Sequence, residues 1–439
     1  MTAAFRERLY YLWSIGCQMN KADSARLADA LTKSGYQPTR APEDASLLIL
    51  NTCVVRQGAE DKVIGRLLSL RPLCVNGAPS DLLVIGCFVG DPQALQEKYP
   101  FVAGFYAPSD IAGVMHFIES RDKKRESATV TAAEYPSQIA ELVPISYGCD
   151  HHCTYCVVTL RRGPQRSRPV AEIKQDVERL VSRGAREITL LGQNADAYGQ
   201  DLVDHPDLAD ILAAIHDVPD LVRIRFLTSH PRDLSQRIID TAASLPKVCE
   251  AWELPVQSGD DEVLRRMARG YTVAHYRDLV QRIRVASPAS VISTDIIVGF
   301  PGETDEQFER SLQLVRELRF DMVHVAAYSV RPGTAAAQWE DDVDAVEKER
   351  RRAAIENLQT QIAGERNRAK LGQIEEILVD GKQKGRWRGR TRTNHLVFFA
   401  SDEPSLGRLA HVRVTWAGPW SLIGELVAEP DVDTKPLGR

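Results

Sequence analysis

Three cysteines within eight residues are the first group in the chain that could carry out chemistry. They form the pattern C-x3-C-x2-C and are Cys149, Cys153 and Cys156. Thiolates hold iron–sulfur clusters and zinc, and three of them leave one iron of a four-iron cluster open to a substrate or cofactor. Zinc bound as Cys3His is the alternative, since His151 and His152 lie beside the thiols. Structural zinc sites usually use two separated ligand pairs, so the spacing favours an iron–sulfur cluster.

Three further cysteines each follow a predicted strand near the N-terminus. They are Cys17, Cys53 and Cys87, and the strands predicted before them are Leu9–Trp13, Ala45–Leu50 and Leu82–Ile85. Because parallel strands meet with their carboxyl ends at one edge of a sheet, where ligands bind, we expect these thiols to share a crevice and hold a second cluster. The alternative is three buried apolar cysteines, which are common in proteins. Cys74 and Cys249 lack this placement and are predicted to be structural.

The apolar pattern predicts an α/β fold in three parts. Strands alternate with helices over residues 8–120, which predicts a doubly wound parallel α/β domain, followed by a polar linker at 121–137. Residues 138–367 predict a partial (β/α) barrel of about six units, and residues 368–428 a small β-barrel. The six strands begin near Leu142, Glu187, Val222, Cys249, Val291 and Met322. An open parallel sheet is the alternative to the partial barrel.

The first barrel strand leads directly into the C-x3-C-x2-C loop, and Gly148 at its start permits a tight turn. In (β/α) barrels, chemistry takes place on the loops that leave the carboxyl ends of the strands. The predicted fold therefore places this loop where an active site belongs.

Charge and hydropathy exclude several classes of protein. The chain has 55 basic and 60 acidic residues, a net charge of −5, so it is not a basic nucleic-acid coat protein. Its longest apolar run, Leu82–Gly90, is about half of the ~18 residues that a membrane helix needs. The first eight residues contain no apolar segment of a secretory signal. We expect a cytoplasmic monomer with reduced cysteines and no membrane partner.

Basic side chains are concentrated near the C-terminus. Six of them alternate along the chain: Lys382, Lys384, Arg386, Arg388, Arg390 and Arg392. Since a strand points alternate side chains to one face, the pattern predicts a single stripe of cations that binds RNA phosphates. Trp387 could stack on a base. The alternative is an ordinary solvated face, and Gly385 and Gly389 could bend the strand.

Tyr155, directly before the last cysteine of the central trio, completes a signature that resembles the radical S-adenosylmethionine (SAM) enzymes. The wider chain resembles the methylthiotransferases, closest to the tRNA-modifying type (MiaB type). The segments that carry this resemblance are SIGCQMN (14–20), NTC (51–53), RSRP (166–169), LGQN (191–194), LTSHP (227–231), LPVQSG (254–259), DIIVGFPGET (295–304), YSVRPGT (328–334) and GRTRTN (389–394). One departure is Trp252-Glu253, where His-Leu is more usual in the family.

The resemblance implies two 4Fe–4S clusters, one held by each cysteine trio, and SAM as cofactor. One SAM would donate its methyl group to sulfur at the Cys17/Cys53/Cys87 cluster. A second would be cleaved at the other cluster to a radical that removes hydrogen from ring carbon 2 of N6-isopentenyladenosine beside the tRNA anticodon. The methylthio group would be inserted there, with an electron donor and a sulfur source as further partners.

Several residues acquire expected roles from the same resemblance and their positions at strand ends. Tyr155, Gln193 and Gln257 are candidates for contact with SAM or the adenine, and each could instead be a polar residue that satisfies its own loop. The C-terminal region resembles a TRAM domain, an RNA-binding β-barrel. Two rival functions remain: modification of an aspartate of a ribosomal protein by the same two clusters, and a non-enzymatic iron–sulfur RNA-binding regulator.

Overall fold

The N-terminal sheet is parallel and reverses its strand order at β1. The computed structural model describes residues 8–54, 57–75, 80–124 and 138–427. The sheet contains β1 (Leu9–Ser14), β2 (Gln37–Pro38), β3 (Leu47–Thr52), β4 (Asp81–Gly86) and β5 (Gly104–Tyr106), in the order β2-β1-β3-β4-β5. The helices are α1 (Gln18–Lys33), α2 (Gln57–Leu70), α3 (Pro92–Lys98) and α4 (Ile111–Lys124). The change of direction between β1 and β3 is the switch point of a doubly wound sheet, as predicted.

Both faces of this sheet are covered, which explains its continuous apolar strands. Every residue of β3 is buried. Leu48 and Leu50 pack into one apolar cluster, and Leu47 and Ile49 pack into another on the opposite face. Successive side chains of a strand point to opposite faces, so a strand buried on both sides has no polar alternation.

The predicted linker overlaps the last helix of this domain. Residues 121–124 form the last turn of α4 and are not a linker, because Arg121 is buried and donates to the Ser46 carbonyl at 2.8 Å. A charged residue that reaches into the domain in this way is not distinguishable by composition from one in a solvated linker. Residues 125–137 of the predicted linker lie outside the described residues.

Six parallel strands form the central domain in the order in which they occur along the chain. They are β6 (Ala140–Pro144), β9 (Glu187–Leu191), β10 (Arg223–Leu227), β11 (Ala251–Glu253), β12 (Val291–Val298) and β13 (Met322–Ala327). A single parallel bridge from Ile224 to Val248 joins the first three strands to the last three. Sequential order without a switch point distinguishes a barrel from a doubly wound sheet, so the predicted partial barrel is confirmed.

Helices cover the outside of these strands. They are α6 (Val170–Ser182), α7 (Leu208–His216), α8 (Gln236–Ser244), α9 (Asp261–Arg266), α10 (Val273–Ala286) and α11 (Asp305–Leu318). A short helix, α5 (Val158–Arg162), follows the central cysteines, and β7 (Ser146–Tyr147) pairs with β8 (Arg166–Ser167) around it. Apolar residues of these helices and strands share one core.

The C-terminal domain is a closed five-stranded barrel, as predicted. The long helix α12 (Ala345–Arg368) leads into β14 (Ile374–Gln383), β15 (Arg386–Thr391), β16 (Leu396–Ala400), β17 (Leu409–Ala417) and β18 (Leu422–Val427), in the closed order β14-β15-β16-β18-β17. Its core includes Val379, Val397, Phe399 and Val412. No helix within the described ranges combines the length and the apolar composition that crossing a membrane would require.

The expectation of a single stripe of six cations is wrong. Lys382 lies at the end of β14, Lys384 adopts φ +48° in the hairpin turn, and the next cations lie on the antiparallel partner β15. Because the chain reverses at Lys384 and Gly385, the alternation does not continue along one face. Trp387 packs against the barrel core and its indole N–H donates to the Ser401 carbonyl at 3.0 Å.

Candidate active site

The N-terminal cysteines lie at the switch point of the sheet, where β1, β3 and β4 are neighbours. Cys17 is the N-cap residue of α1, Cys53 follows β3, and Cys87 follows β4, its N–H donating to the Thr52 carbonyl at 3.0 Å. A Cβ at Gly16, whose φ is +125°, would lie 2.5 Å from the Cys53 Cβ. Glycine is therefore required for the Cys17 loop to approach Cys53.

Asn20 connects the loop that contains Cys17 with the loop that contains Cys53. Its side chain is fully buried, and its amide donates to the Ile15 carbonyl at 2.9 Å and to the Thr52 carbonyl at 2.8 Å. The Cys17 thiol lies 3.8 Å from the Asn20 amide oxygen. A polar residue in the first turn of α1 thus fixes the backbone just before Cys17 and just before Cys53.

The central cysteines lie on a tight loop between β7 and α5. Gly148 has φ +73°, and a Cβ there would lie 2.0 Å from the Pro164 carbonyl oxygen. The His151 N–H donates to the Cys149 sulfur at 3.4 Å, and Arg269 donates to the Cys153 sulfur at 3.4 Å. These contacts orient the Cys149 and Cys153 sulfur atoms, and all three central cysteines line one cavity.

Both cysteine groups face the same cavity, of about 290 Å³, which we call the cysteine cavity. Its walls include Cys17, Cys87, Cys149, Cys153 and Cys156. The remaining lining includes Tyr155, Arg162, Gln193, Asn194, His230, Glu253 and Arg269. The N-terminal sheet edge and the carboxyl edge of the central barrel therefore open onto one space.

The donor set fits iron–sulfur clusters. Burial raises the pKa of Cys87 to about 11 and that of Cys156 to about 12, and it also raises the pKa of Cys149. Buried thiols of this kind remain protonated and inert unless a metal replaces the proton. The central group places all three of its cysteines at the cavity, and the N-terminal group places Cys17 and Cys87 there, while Cys53 is buried and is not part of the lining. Three sulfur ligands are the count that leaves one iron of a four-iron cluster accessible.

The geometry does not support a Cys3His zinc site. Among the described residues, one set of His, Cys, Asp or Glu ligand atoms lies within 4.8 Å of one another, and it consists of His151, His230 and Asp233 without a cysteine. The His151 ring stacks on His230 with centroids 4.2 Å apart and hydrogen-bonds Asp233, while His152 is exposed. Burial and the nearby Arg269 cation lower the pKa of His230 to about 2, so its ring is neutral.

The three predicted contact residues lie near this site but in different cavities. Gln193 lines the cysteine cavity, and its side-chain oxygen is buried without a hydrogen-bond partner. Gln257, with φ +72°, lines a second cavity of about 660 Å³ together with Asp295 and His324. Tyr155 lies between the cavities and lines both.

Three residues of the cysteine cavity have no role predicted from the sequence. Burial and the Asp295 carboxylate raise the pKa of Glu253 to about 7, and only its departure from the family pattern drew attention to it. Arg269 is buried and also donates to the Pro255 carbonyl at 3.1 Å. Arg162, at the end of α5, is buried beside the N-terminal cysteines. Both arginines stand in charged surroundings in the sequence, where nothing distinguishes a buried cation from a solvated one.

Three family models match consecutive parts of the chain. The model described as "Uncharacterized protein family UPF0004" matches residues 9–106, the Radical SAM superfamily matches 143–315, and the TRAM domain matches 368–427. The last match agrees with the position of the closed five-stranded barrel.

Relatives with similarity over nearly the whole chain carry one name. A protein of Roseiflexus sp. (strain RS-1) named tRNA-2-methylthio-N(6)-dimethylallyladenosine synthase is 47% identical, over 99% of this chain and 92% of its own. A protein of the same name from Herpetosiphon aurantiacus is 46% identical, over 96% of this chain and 98% of its own.

Solved structures share the fold at low identity. The radical SAM methyltransferase TsrM from Kitasatospora setae has a TM-score of 0.55 at 14% identity, covering 75% of this chain and 77% of its own. The cobalamin-dependent SAM radical enzyme OxsB has a TM-score of 0.51 at 12% identity, covering 80% of this chain and 56% of its own.

Proposed function

The chain belongs to the tRNA-2-methylthio-N(6)-dimethylallyladenosine synthase family, and we propose that it inserts a methylthio group at ring carbon 2 of N6-isopentenyladenosine next to the anticodon of tRNA. It is a transferase of the radical SAM superfamily, with a TRAM domain as its RNA-binding part. A 4Fe–4S cluster and SAM are the cofactors that this superfamily implies.

The observation that carries the proposal is the meeting of two cysteine groups at one cavity. Cys149, Cys153 and Cys156 would hold the 4Fe–4S cluster that binds SAM. Cys17, Cys53 and Cys87 would hold a second 4Fe–4S cluster. When bound, such clusters supply the electron that cleaves SAM and an open iron for the sulfur to be transferred.

The protein's own residues orient the reactants and exclude water. Gln193 and Tyr155 bind cofactor or substrate in the cysteine cavity. Gln257 binds cofactor or substrate in the second cavity, which Tyr155 also lines. The buried, unpartnered oxygen of Gln193 is an acceptor for a bound amine or hydroxyl group. Enclosure of the reacting atoms between two domains protects a radical from solvent.

The tRNA is held in part by the C-terminal barrel. Lys382, Lys384 and Arg386 surround the β14–β15 hairpin, where Lys384 and Arg386 are exposed, while Arg388 pairs with Asp380 at 3.0 Å. Phosphate contacts of this kind position the RNA without reading its sequence. An electron donor and a sulfur source complete the reaction, and the chain acts as a monomer.

Nucleoside mass spectrometry of tRNA from a deletion strain tests the function. Loss of the methylthio-adenosine, restored by the wild-type gene, is expected. An unchanged level would refute the proposal, and a missing modification on a ribosomal-protein aspartate would identify the rival enzyme. Purified, reconstituted protein with SAM and a reductant should release 5′-deoxyadenosine, whereas a non-enzymatic regulator would release none.

An iron and sulfide count on anaerobically reconstituted protein tests the cofactors. About eight irons per chain are expected for two four-iron clusters. About four irons would contradict the assignment of a cluster to Cys17, Cys53 and Cys87.

A further inference from the structure

Arg162 belongs to the central barrel but contacts the N-terminal cysteine group. It is the last residue of α5, six positions after Cys156, and its side chain is 4% exposed. Its guanidinium lines the same cavity as Cys17 and Cys87 and lies close enough to both thiols to interact electrostatically with them. One side chain therefore connects the helix that follows one cysteine trio to the ligands of the other.

The remaining contacts of Arg162 fix its position in the N-terminal domain. It donates to the Asn20 amide oxygen at 2.9 Å and to the Ser109 hydroxyl at 3.0 Å, and it lies 3.5 Å from the Asp23 carboxylate. Asn20 in turn donates to the carbonyls that precede the Cys17 and Cys53 loops. A displacement of Arg162 would thus be transmitted to the backbone that carries these cysteines.

Two cations share one buried carboxylate at this place. Among the described residues, Arg162 contacts the carboxylate of Asp23, at 3.5 Å, and the Arg26 cation acts on the same carboxylate. A buried arginine is costly unless paired anions and hydrogen bonds compensate it. Three thiolate ligands at Cys17, Cys53 and Cys87 would provide that compensation.

We propose that Arg162, which reaches across from α5, is a positioning residue for the cluster at Cys17, Cys53 and Cys87. Its planar fork holds Asn20 and Ser109 in one arrangement, and its charge would stabilise the anionic ligand set. Lysine would keep the charge and lose the fork. The inference rests on the proposed function because it requires a second cluster.

The test uses the full chain, reconstituted anaerobically with iron and sulfide, as wild type, Arg162→Gln and Arg162→Lys. We expect Arg162→Gln to fall from about eight irons to about four per chain and to retain the spectrum of one 4Fe–4S cluster. SAM cleavage to 5′-deoxyadenosine without tRNA should persist, because Cys149, Cys153 and Cys156 are untouched. Arg162→Lys should retain more iron than Arg162→Gln. Its second cluster should give an electron paramagnetic resonance signal that is shifted from that of the wild type.

Arg121→Gln is the matched control. Arg121 is a buried arginine of the N-terminal domain, paired with Asp81 at 2.7 Å and not among the residues that line the cysteine cavity. It should lower thermal stability while leaving about eight irons per chain. This comparison separates loss of a buried ion pair in general from loss of the Arg162 contacts.

Three results would overturn the inference. Arg162→Gln could bind about eight irons with an unaltered spectrum, it could lose both clusters and SAM cleavage together, or Arg121→Gln could lose the same iron as Arg162→Gln. A wild-type chain with only about four irons would instead contradict the proposed function itself. If Arg162→Gln does not fold, wild-type-like spectra in Arg162→Lys would refute the role of the guanidinium fork.

Discussion

Arg392 of the C-terminal barrel forms an ion pair with Glu250 of the central barrel, with a nitrogen–oxygen distance of 2.6 Å. Arg392 also donates to the Val248 carbonyl at 2.6 Å. From the other side, the buried Arg223 and Arg225 of β10 donate to the carbonyls of Arg390 and Arg392 at 2.6 and 2.7 Å. Arg392, at the end of the basic run, is therefore part of a domain contact, whereas Lys384 and Arg386 at its beginning are exposed.

Replacing Arg392 should weaken the attachment of the C-terminal barrel. Arg392→Ala leaves Glu250 without its partly buried partner, and we expect a loss of about 2 kcal/mol in the free energy of unfolding. Thermal denaturation and protease cleavage between α12 and β14 would measure it. Arg388→Ala is the control, because its pair with Asp380 lies within the C-terminal barrel, with the Arg388 side chain 43% exposed, and contributes only about 0–1 kcal/mol. Equal losses in both variants would contradict the assigned domain contact.

Replacing Arg386 should instead weaken tRNA binding. Arg386 is exposed at the start of β15, so Arg386→Ala removes one cation that can neutralise a phosphate. The slope of log K against log salt should fall by about 1, and SAM cleavage without tRNA should not change. Arg265→Ala, which removes an exposed cation on α9, should bind tRNA as the wild type does. Impaired SAM cleavage in Arg386→Ala would show that this residue has a structural role.

Removing one central thiol should eliminate SAM cleavage. Cys153→Ala leaves two ligands for the SAM-binding cluster, so iron should fall by about four per chain and 5′-deoxyadenosine should not form. Cys74→Ala is the control: this half-buried cysteine hydrogen-bonds the Leu70 carbonyl and does not line the cysteine cavity. Continued cleavage in Cys153→Ala would refute the ligand assignment.

Glu253 should make the stability of the chain dependent on pH. Burial and Asp295 raise the pKa of Glu253 to about 7, above the ordinary value of 4.5 that the group has in the unfolded chain. Between these values the folded state holds a proton that the unfolded state has released, so the contribution of Glu253 to the free energy of unfolding decreases as the pH rises. Glu253→Gln removes this dependence and should stabilise the protein at pH 8 by roughly 2 kcal/mol, with little effect near pH 5.

Melting temperatures of the reconstituted protein at the two pH values would measure this effect. Glu340→Gln, which changes an exposed carboxyl group, should behave as the wild type at both. Equal stabilisation of Glu253→Gln at pH 5 and pH 8 would show that ionisation of Glu253 is not the cause.

The local pattern of apolar and polar residues was sufficient to predict the N-terminal strands and to show that a cysteine follows three of them. The strand before Cys53 is predicted at Ala45–Leu50 and lies at Leu47–Thr52. Parallel strands with apolar cores also place their carboxyl ends together, so the approach of Cys17, Cys53 and Cys87 followed from the alternation of strands and helices. The departure at Glu253 was visible as well, although not its proton affinity.

Tertiary structure alone decided which charged residues face solvent, which are buried, and what they contact. Arg162, Arg223 and Arg392 each lie beside other cations in the sequence, yet they make contacts with residues more than 140 positions away. The facing of the two cysteine trios across one cavity likewise depends on how two domains dock. Sequence periodicity reports the face of a single element, whereas the partner of a long polar side chain depends on where distant backbone carbonyls and carboxylates come to lie.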